Sequence, residues 1–460
     1  MLSLTLIVLV IGAAYFWVTQ RTVVAMRATG QHRLHSLPHY YGLWTASVAI
    51  LPALILMLLI AIGQSLLFKS WVQEFYPPEL VGQDSFNEAI VLAKVMNVVT
   101  GIDFGTPEPW VTAAGEAWIR WSATGNTLMV ATVLSISVVG GFFAYRKISP
   151  EFRSRNAVER ILLWMLGISS TVAIITTIGI VLSVLFESVR FFRLVPFDEF
   201  VFGLTWNPQF EGAERAGSGQ MGLATYGMVP LFAGTILISI VALVVAVPVG
   251  LFSAIYLAEY ASQTVRSVVK PLLEILAGVP TVVYGFFAAL TVAPIVKMAG
   301  ESIGLTVASE SALAAGLVMG VMIIPFVSSL SDDVINAVPQ SLRDAAYGLG
   351  STKSECVRQV ILPAALPGIV AAVILAVSRA IGETMIVVMA AGLAANLSFN
   401  PLDAVTTVTS QIVTILVGDQ EFESAKTLSA FALALILIII TLGLNFFALQ
   451  IVKKYREQYD

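Results

Sequence analysis

Residues 161–186 read ILLWMLGISSTVAIITTIGIVLSVLF, a run without one charged side chain. Wound as a helix at about 1.5 Å per residue, it is roughly 39 Å long and more than crosses a hydrocarbon layer about 30 Å thick. Comparable apolar runs occupy residues 2–19, 46–68, 125–145, 228–258, 275–295, 311–330, 368–392 and 427–452. Lipid offers no partner to backbone N–H and C=O groups, so each run must satisfy itself as a helix. The runs are also far longer than the roughly ten-residue strands of a membrane barrel. The expected fold class is an all-α polytopic membrane protein with about nine transmembrane helices.

Composition agrees. Of 460 residues, 57% are apolar and 12% charged, and the mean hydropathy is +0.88. A soluble protein is about a quarter charged, and so few ionised groups could not cover its surface. A soluble enzyme, a disordered scaffold and a secreted disulfide framework are thereby excluded. The net charge of −4 provides no basic surface, so no nucleic acid is expected as a partner. Cys356 is the sole cysteine, which excludes an intrachain disulfide and a cysteine-based zinc site. His32, His35 and His39 have spacings compatible with a metal, but a solvated or headgroup-facing loop is the preferred reading. No metal, cofactor or catalytic residue is expected. Residues 2–19 are too long and lack the basic start of a cleavable signal, so they read as a retained span.

Orientation follows from the basic residues. With the N-terminus outside, the inner segments are 20–45, 146–160, 259–270, 331–367 and the tail after Val452, and they hold 16 of the 25 Lys and Arg. The outer segments are longer in total but hold eight, and Arg379 lies inside a span. The C-terminus is therefore expected inside. In outer loop 69–124, Ser85 and Glu88 form a capping box before residues 89–100, closed by Gly101, which predicts a short surface helix. Outer segment 187–227, with Phe197, Phe200, Trp206 and Pro208, reads as an ordered cap or dock.

Inner segment 331–367 carries its own start and stop signals. Pro339 suits a helix start, residues 341–349 are helix-compatible, and Gly350 can close that helix in a left-handed conformation. Thr352 with Glu355 begins a second helix carrying Cys356, Val357, Val360 and Ile361 before Leu362-Pro363. Two short helices are expected across the cytoplasmic face.

The pattern Asp344-Ala345-Ala346, Gly350, Val360 and Leu362-Pro363 resembles the EAA loop of ABC-importer permeases. Asp344 stands where Glu is usual, and Val360 where Ile is usual. The resemblance implies that the first short helix couples to a separate ATP-binding subunit. The chain has no Gly-Lys pair and hence no phosphate-binding loop of its own.

Arg379 and Glu383 interrupt span 368–392. Four residues apart on one helix, they would share a face and pair. An arginine at mid-bilayer costs about 2.5–3.5 kcal/mol on insertion scales, so it is expected to face a partner or a cavity. A guanidinium is a permanently charged fork suited to oxyanions. A buried pair fixing helix register and a direct contact with a passing anion both fit. Gly278, Pro280, Tyr284 and Gly285 are candidates for a helix break lining a pathway, or for an ordinary proline kink. Residues 406–414, rich in Thr, Ser and Gln, read equally as the border of an outer gate or as a surface helix.

Residues 378–385, Ser-Arg-Ala-Ile-Gly-Glu-Thr-Met, are similar to the signature of the phosphate-importer permeases PstC and PstA. Residues 274–285, Trp206-Asn207-Pro208 and residues 226–231 resemble other segments of that family. Segment order and outer-loop length are more like PstC, in a long form with an N-terminal extension. The resemblance covers about residues 155–452. It implies a permease subunit, not an enzyme, for ATP-driven import of inorganic phosphate across a bacterial inner membrane. Its implied partners are a PstA-like second permease, a dimer of PstB-like ATP-binding subunits and a PstS-like phosphate-binding protein. It also implies that Arg379 and Glu383 serve transport. The expected organisation is a three-helix membrane extension over 1–150, a first core helix and outer loop over 151–227, and a permease domain over 228–452 containing the coupling loop. A permease for sulfate, molybdate or phosphonate, and a phosphate-sensing scaffold, are the alternatives.

Overall fold

The computed structural model describes residues 2–28, 34–77, 85–101, 108–208, 224–418 and 424–455. Among them, nine helices are long and apolar enough to cross a membrane, and the fold is all-α apart from one two-stranded pairing. The chain divides into two compact units, Met1–Ile175 and Thr176–Asp460.

The first unit contains α1 (Leu2–Ala28), α2 (Pro38–Val72), α3 (Ser85–Thr100) and α4 (Pro109–Arg146). Its helices meet through small residues, as lipid-embedded helices do when apolar burial gives no preference for a partner over lipid. A methyl added at Gly140 of α4 would stand 3.1 Å from the Val48 carbonyl of α2. Thr19 and Thr45 bridge α1 and α2 with a buried 3.0 Å hydroxyl–hydroxyl hydrogen bond. Leu4, Val8, Ala53, Met129 and Val133 fill one core. The short helix expected before Gly101 is α3, and Gly101 adopts φ +73°; the Ser85 and Glu88 side chains of the expected capping box lie outside the described residues, as does His32. The unit boundary falls inside α5 (Ser154–Leu194).

In the second unit, α6 (Phe197–Phe202) leads to β1 (Trp206–Asn207), paired antiparallel with β2 (Thr225–Tyr226). Trp206 and Tyr226 stack edge-on with Phe191 and Phe200 in a buried aromatic cluster. Helix α7 (Val229–Ile255) follows and ends in a wide π turn over Tyr256–Tyr260. Then come α8 (Gln263–Ala277), α9 (Thr281–Phe287), a second π turn and α10 (Ala293–Ser302). Helix α11 (Ala312–Asn336) is the most buried span. It lies against α7 so closely that a methyl on Gly320 would stand 2.9 Å from the Ala242 carbonyl. The core around this seam holds Ile238, Ala242, Met319, Ile323, Ala376 and Ile386.

The remaining helices are α12 (Gln340–Gly348), α13 (Lys353–Cys356), α14 (Leu362–Ile381), α15 (Met385–Ala390), α16 (Val408–Val417) and α17 (Ala425–Tyr455). Three boundaries differ from expectation. The span placed at 275–295 instead runs from Thr281 to Ser302, because Pro280 sets a new helix start and leaves α8 as a separate amphipathic helix. The second short helix of segment 331–367 does not stop at Leu362-Pro363. It continues through a π turn over Val357–Ile361 into α14, the wider turn accommodating a proline that has no N–H to donate. The span placed at 368–392 ends at Ile381.

Overpacking the α7–α11 seam is costly, whereas Gly443 of α17 has open space around it. Gly320→Val is expected to cost about 1–3 kcal/mol and to lower Tm in detergent clearly, while Gly443→Ala leaves Tm unchanged or slightly raised. Equal effects in a thermal-shift assay would contradict the seam's role.

Candidate functional site

The expected coupling segment forms as a capped unit. Pro339 precedes α12, Gly350 adopts φ +86°, and Thr352 and Glu355 exchange both hydrogen bonds of a capping box. Ala346 is buried against Cys356, Val357 and Ile361. Asp344, Ala345 and Gly350 are exposed, and Leu349, beside that glycine, is 91% exposed. Leu362 and Pro363 begin α14, so the segment is continuous with a span.

What holds α12 is a residue the sequence reading passed over. Arg343 is buried, and its guanidinium donates to Glu259 Oε1 at 3.1 Å and to the carbonyl oxygens of Ile335, at 2.8 Å, and Val338. The Arg343 and Glu259 side chains are 10% and 8% exposed. A second buried group, Asp332 near the end of α11, accepts from Arg266 and Lys270 of α8. That contact holds the Lys270 ammonium above the ordinary lysine value. Its contribution is fully present below the unfolded lysine pKa and is lost only as pH rises through the raised one, so the link is intact at neutral pH.

Arg379 and Glu383 do not share a helix. Helix α14 ends at Ile381, Gly382 follows as its cap, and Glu383 lies in the gap before α15. Among the described residues no ion pair joins the two. The Arg379 guanidinium is exposed on this chain and lies 5.7 Å from the centre of the Phe326 ring. A cation in the last turn of α14 is favoured by the helix dipole. Glu383 Oε1 accepts from the Met385 N–H at 3.2 Å, which turns the carboxylate toward the start of α15.

The second interrupted segment meets the first. Gly278 and Pro280 separate α8 from α9, and the Tyr284 hydroxyl spans the gap to donate to the Leu276 carbonyl at 2.9 Å. Tyr284 is buried in the same core as Ala380, Ile386 and Val387. A methyl on Gly285 would stand 3.1 Å from the Met385 carbonyl and 2.7 Å from Met389 Sδ. Tyr284, Gly285 and the Glu383–Met385 gap are thus neighbours, while Gly278 and Pro280 are exposed.

Residues 406–414 are not a surface helix. Thr406, Thr407, Thr409, Ser410 and Gln411 are all buried. Thr409 Oγ1 donates to the Glu383 carbonyl at 2.7 Å. Gln411 accepts from Trp206 Nε1 at 3.1 Å and donates to the Leu393 carbonyl at 2.8 Å. Thr409 and Gln411 thus tie the Glu383 gap and the Trp206 turn to α16. The sequence signal was the polarity itself, too dense for a helix packed only against lipid.

Comparison with known proteins places both units. A family model described as a phosphate ATP-binding cassette transporter matches residues 5–176. A model described as a binding-protein-dependent transport system inner membrane component matches residues 246–457. The chain is 31% identical over 243 residues to the probable ABC transporter permease protein YqgH of Bacillus subtilis, covering 53% of this chain and 74% of that one. It is also 31% identical to the phosphate transport system permease protein PstC 1 of Mycobacterium tuberculosis, over 44% of this chain and 64% of the relative. With PstC of Mesorhizobium japonicum it shares 29% identity, over 35% of this chain and 49% of the relative.

Removing one member of a buried pair strands the other charge. Arg343→Met is expected to loosen α12 by about 3–5 kcal/mol. Limited proteolysis in detergent should then cut between residues 340 and 350 faster than in the wild type, and an unchanged rate would contradict the anchoring.

Proposed function

From the premise that the chain belongs to the ABC transporter permeases, as a multi-pass inner-membrane component, we propose that it carries inorganic phosphate inward through a pathway at its two interrupted helices. One observation carries the reading: a permanently charged guanidinium, Arg379, stands at the end of a broken membrane helix, in a chain whose relatives include phosphate permeases. Interrupted spans present backbone groups and side chains to a polar passenger at membrane depth without exposing them to lipid.

In this proposal Arg379 meets the tetrahedral anion with its forked N–H groups, and Glu383 accepts a proton or hydrogen bond from a partly protonated one. Tyr284 and Gly285 pack behind the gap, with Gly278 and Pro280 supplying the second break. Arg379 is exposed on this chain, which fits a pathway completed by a PstA-like second permease. Asp344, Ala345, Ala346 and Gly350 form the segment that docks on a PstB-like ATPase dimer, with Leu349 as its most exposed apolar contact. ATP binding there turns the pathway outward to receive phosphate from a PstS-like binding protein, and hydrolysis returns it inward. The excess of Lys and Arg on the segments read as inner, 16 of 25, supports an orientation with the N-terminus outside and the C-terminus in the cytoplasm.

The test is ATP-driven uptake of phosphate and of sulfate in proteoliposomes holding the assembled complex. The wild type is expected to take up phosphate and not sulfate. Arg379→Lys, which keeps the charge and loses the fork, should reduce phosphate uptake by about tenfold or more. Sulfate preference in the wild type would overturn the cargo, and undiminished phosphate uptake by Arg379→Lys would overturn the anion contact.

A further inference from the structure

Helix α8 buries none of its own residues, yet it leads directly into the Gly278–Pro280 break. Its attachment centres on one buried carboxylate, Asp332, flanked by two exposed bonds: Lys270 Nζ to Asp333 Oδ1 and Arg266 Nη1 to Asn336 Oδ1, both at 3.2 Å. The Asp332 side chain is 2% exposed, and its two oxygens accept from Arg266 Nη2 at 3.0 and 2.9 Å. Lys270 Nζ adds a bond at 2.8 Å, and Asn336 Nδ2 one at 2.9 Å. Arg266 and Lys270 lie four residues apart, so they rise from one face of α8. The same end of α11 grips α12 as well, because Arg343 donates to the carbonyl oxygens of Ile335 and Val338. One short stretch of α11 therefore holds the motor-facing helix on one side and the helix leading to the break on the other.

We propose that Asp332 is a positioning residue for transport: it makes α8, and with it the Gly278–Pro280 break, follow every displacement of α12. Two helices touching through apolar side chains can slide past each other at little cost. A buried carboxylate shared between a guanidinium and an ammonium cannot, because slippage leaves an unpaired charge out of water. At the far end of α8, the Tyr284 hydroxyl bond to Leu276 hands the movement to α9. Asp332 is none of the residues assigned above to the anion, and it is buried rather than on the exposed face of α12. Its removal should separate fuel use from cargo movement and leave both partners bound.

The inference rests on the phosphate-permease reading, and one experiment separates the two. Phosphate uptake and ATP hydrolysis are measured together in proteoliposomes of the full complex for the wild type, Asp332→Asn, Asp332→Glu and Lys270→Gln. In Asp332→Asn, ATP hydrolysis persists while phosphate carried per ATP falls by about tenfold or more. Asp332→Glu keeps the carboxylate and stays within about threefold of the wild type, and Lys270→Gln, which leaves Arg266 in place, falls to an intermediate ratio. A wild-type ratio in Asp332→Asn overturns the proposal, as does a parallel loss of both activities in an assembled complex. If Asp332→Asn does not assemble, Lys270→Gln decides, and a wild-type ratio there overturns the proposal. A wild-type complex that hydrolyses ATP without moving phosphate overturns the functional reading instead.

Discussion

A helix that stops inside a membrane leaves carbonyl and amide groups with no water to meet them. The second unit meets that demand where α14 ends before α15, and a related one where α8 gives way to the span that opens at Thr281. At the Gly278–Pro280 gap the Tyr284 hydroxyl reaches back to the Leu276 carbonyl. At the gap after Ile381, Thr409 supplies a hydroxyl to the Glu383 carbonyl, and the Glu383 carboxylate takes the Met385 N–H. Each repair recruits another element: α9 in the first case, α16 in the second. Through Gln411 the second repair extends to the Trp206 turn and the aromatic cluster around it. Interruptions maintained at this cost are the place where a membrane helix can offer polar groups to a passenger.

The charges follow the same economy. Chains with so few ionised groups use those they bury in fixed positions, and here the buried ones cluster at the end of α11 that carries the coupling segment. Arg343 with Glu259 and Asp332 with Arg266 and Lys270 make two rigid joints a few residues apart. Arg379 is different in kind. It is exposed on this chain, lies 5.7 Å from the centre of the Phe326 ring and, among the described residues, forms no ion pair with a carboxylate. The joints hold helices together, whereas an unneutralised guanidinium at a helix end retains its capacity for an anion.

Much of this was legible in the sequence because it is local. Apolar runs mark the nine spans found among the described residues, and Pro339, Gly350 and the Thr352–Glu355 box mark the short helices of segment 331–367, each signal lying within a few residues of its effect. Breaks were harder. Gly382, which caps the helix after Ile381, falls inside the run 368–392 expected as one span, so Arg379 and Glu383 were expected to pair on a helix that in fact ends between them. Pro363 read as a stop because the π turn that absorbs it leaves no simple sequence mark. The ionic joints were invisible for a further reason: Asp332 meets Lys270 across 62 residues and Arg343 meets Glu259 across 84. Their only trace was complementary charge on neighbouring inner segments, a basic pair at 266 and 270 facing an acidic pair at 332 and 333.

The central claim is that the gap between α14 and α15 lies on the path of the anion. Met385 opens α15 and is 40% exposed, and Cys356 is the sole native thiol. A Met385→Cys variant in a Cys356→Ala background therefore reports on the gap alone. In the assembled complex during ATP turnover, labelling of that cysteine by a small charged thiol reagent is predicted to slow in phosphate and to be unaffected by equal sulfate. Labelling that ignores phosphate, in a complex that still transports it, would place the path elsewhere.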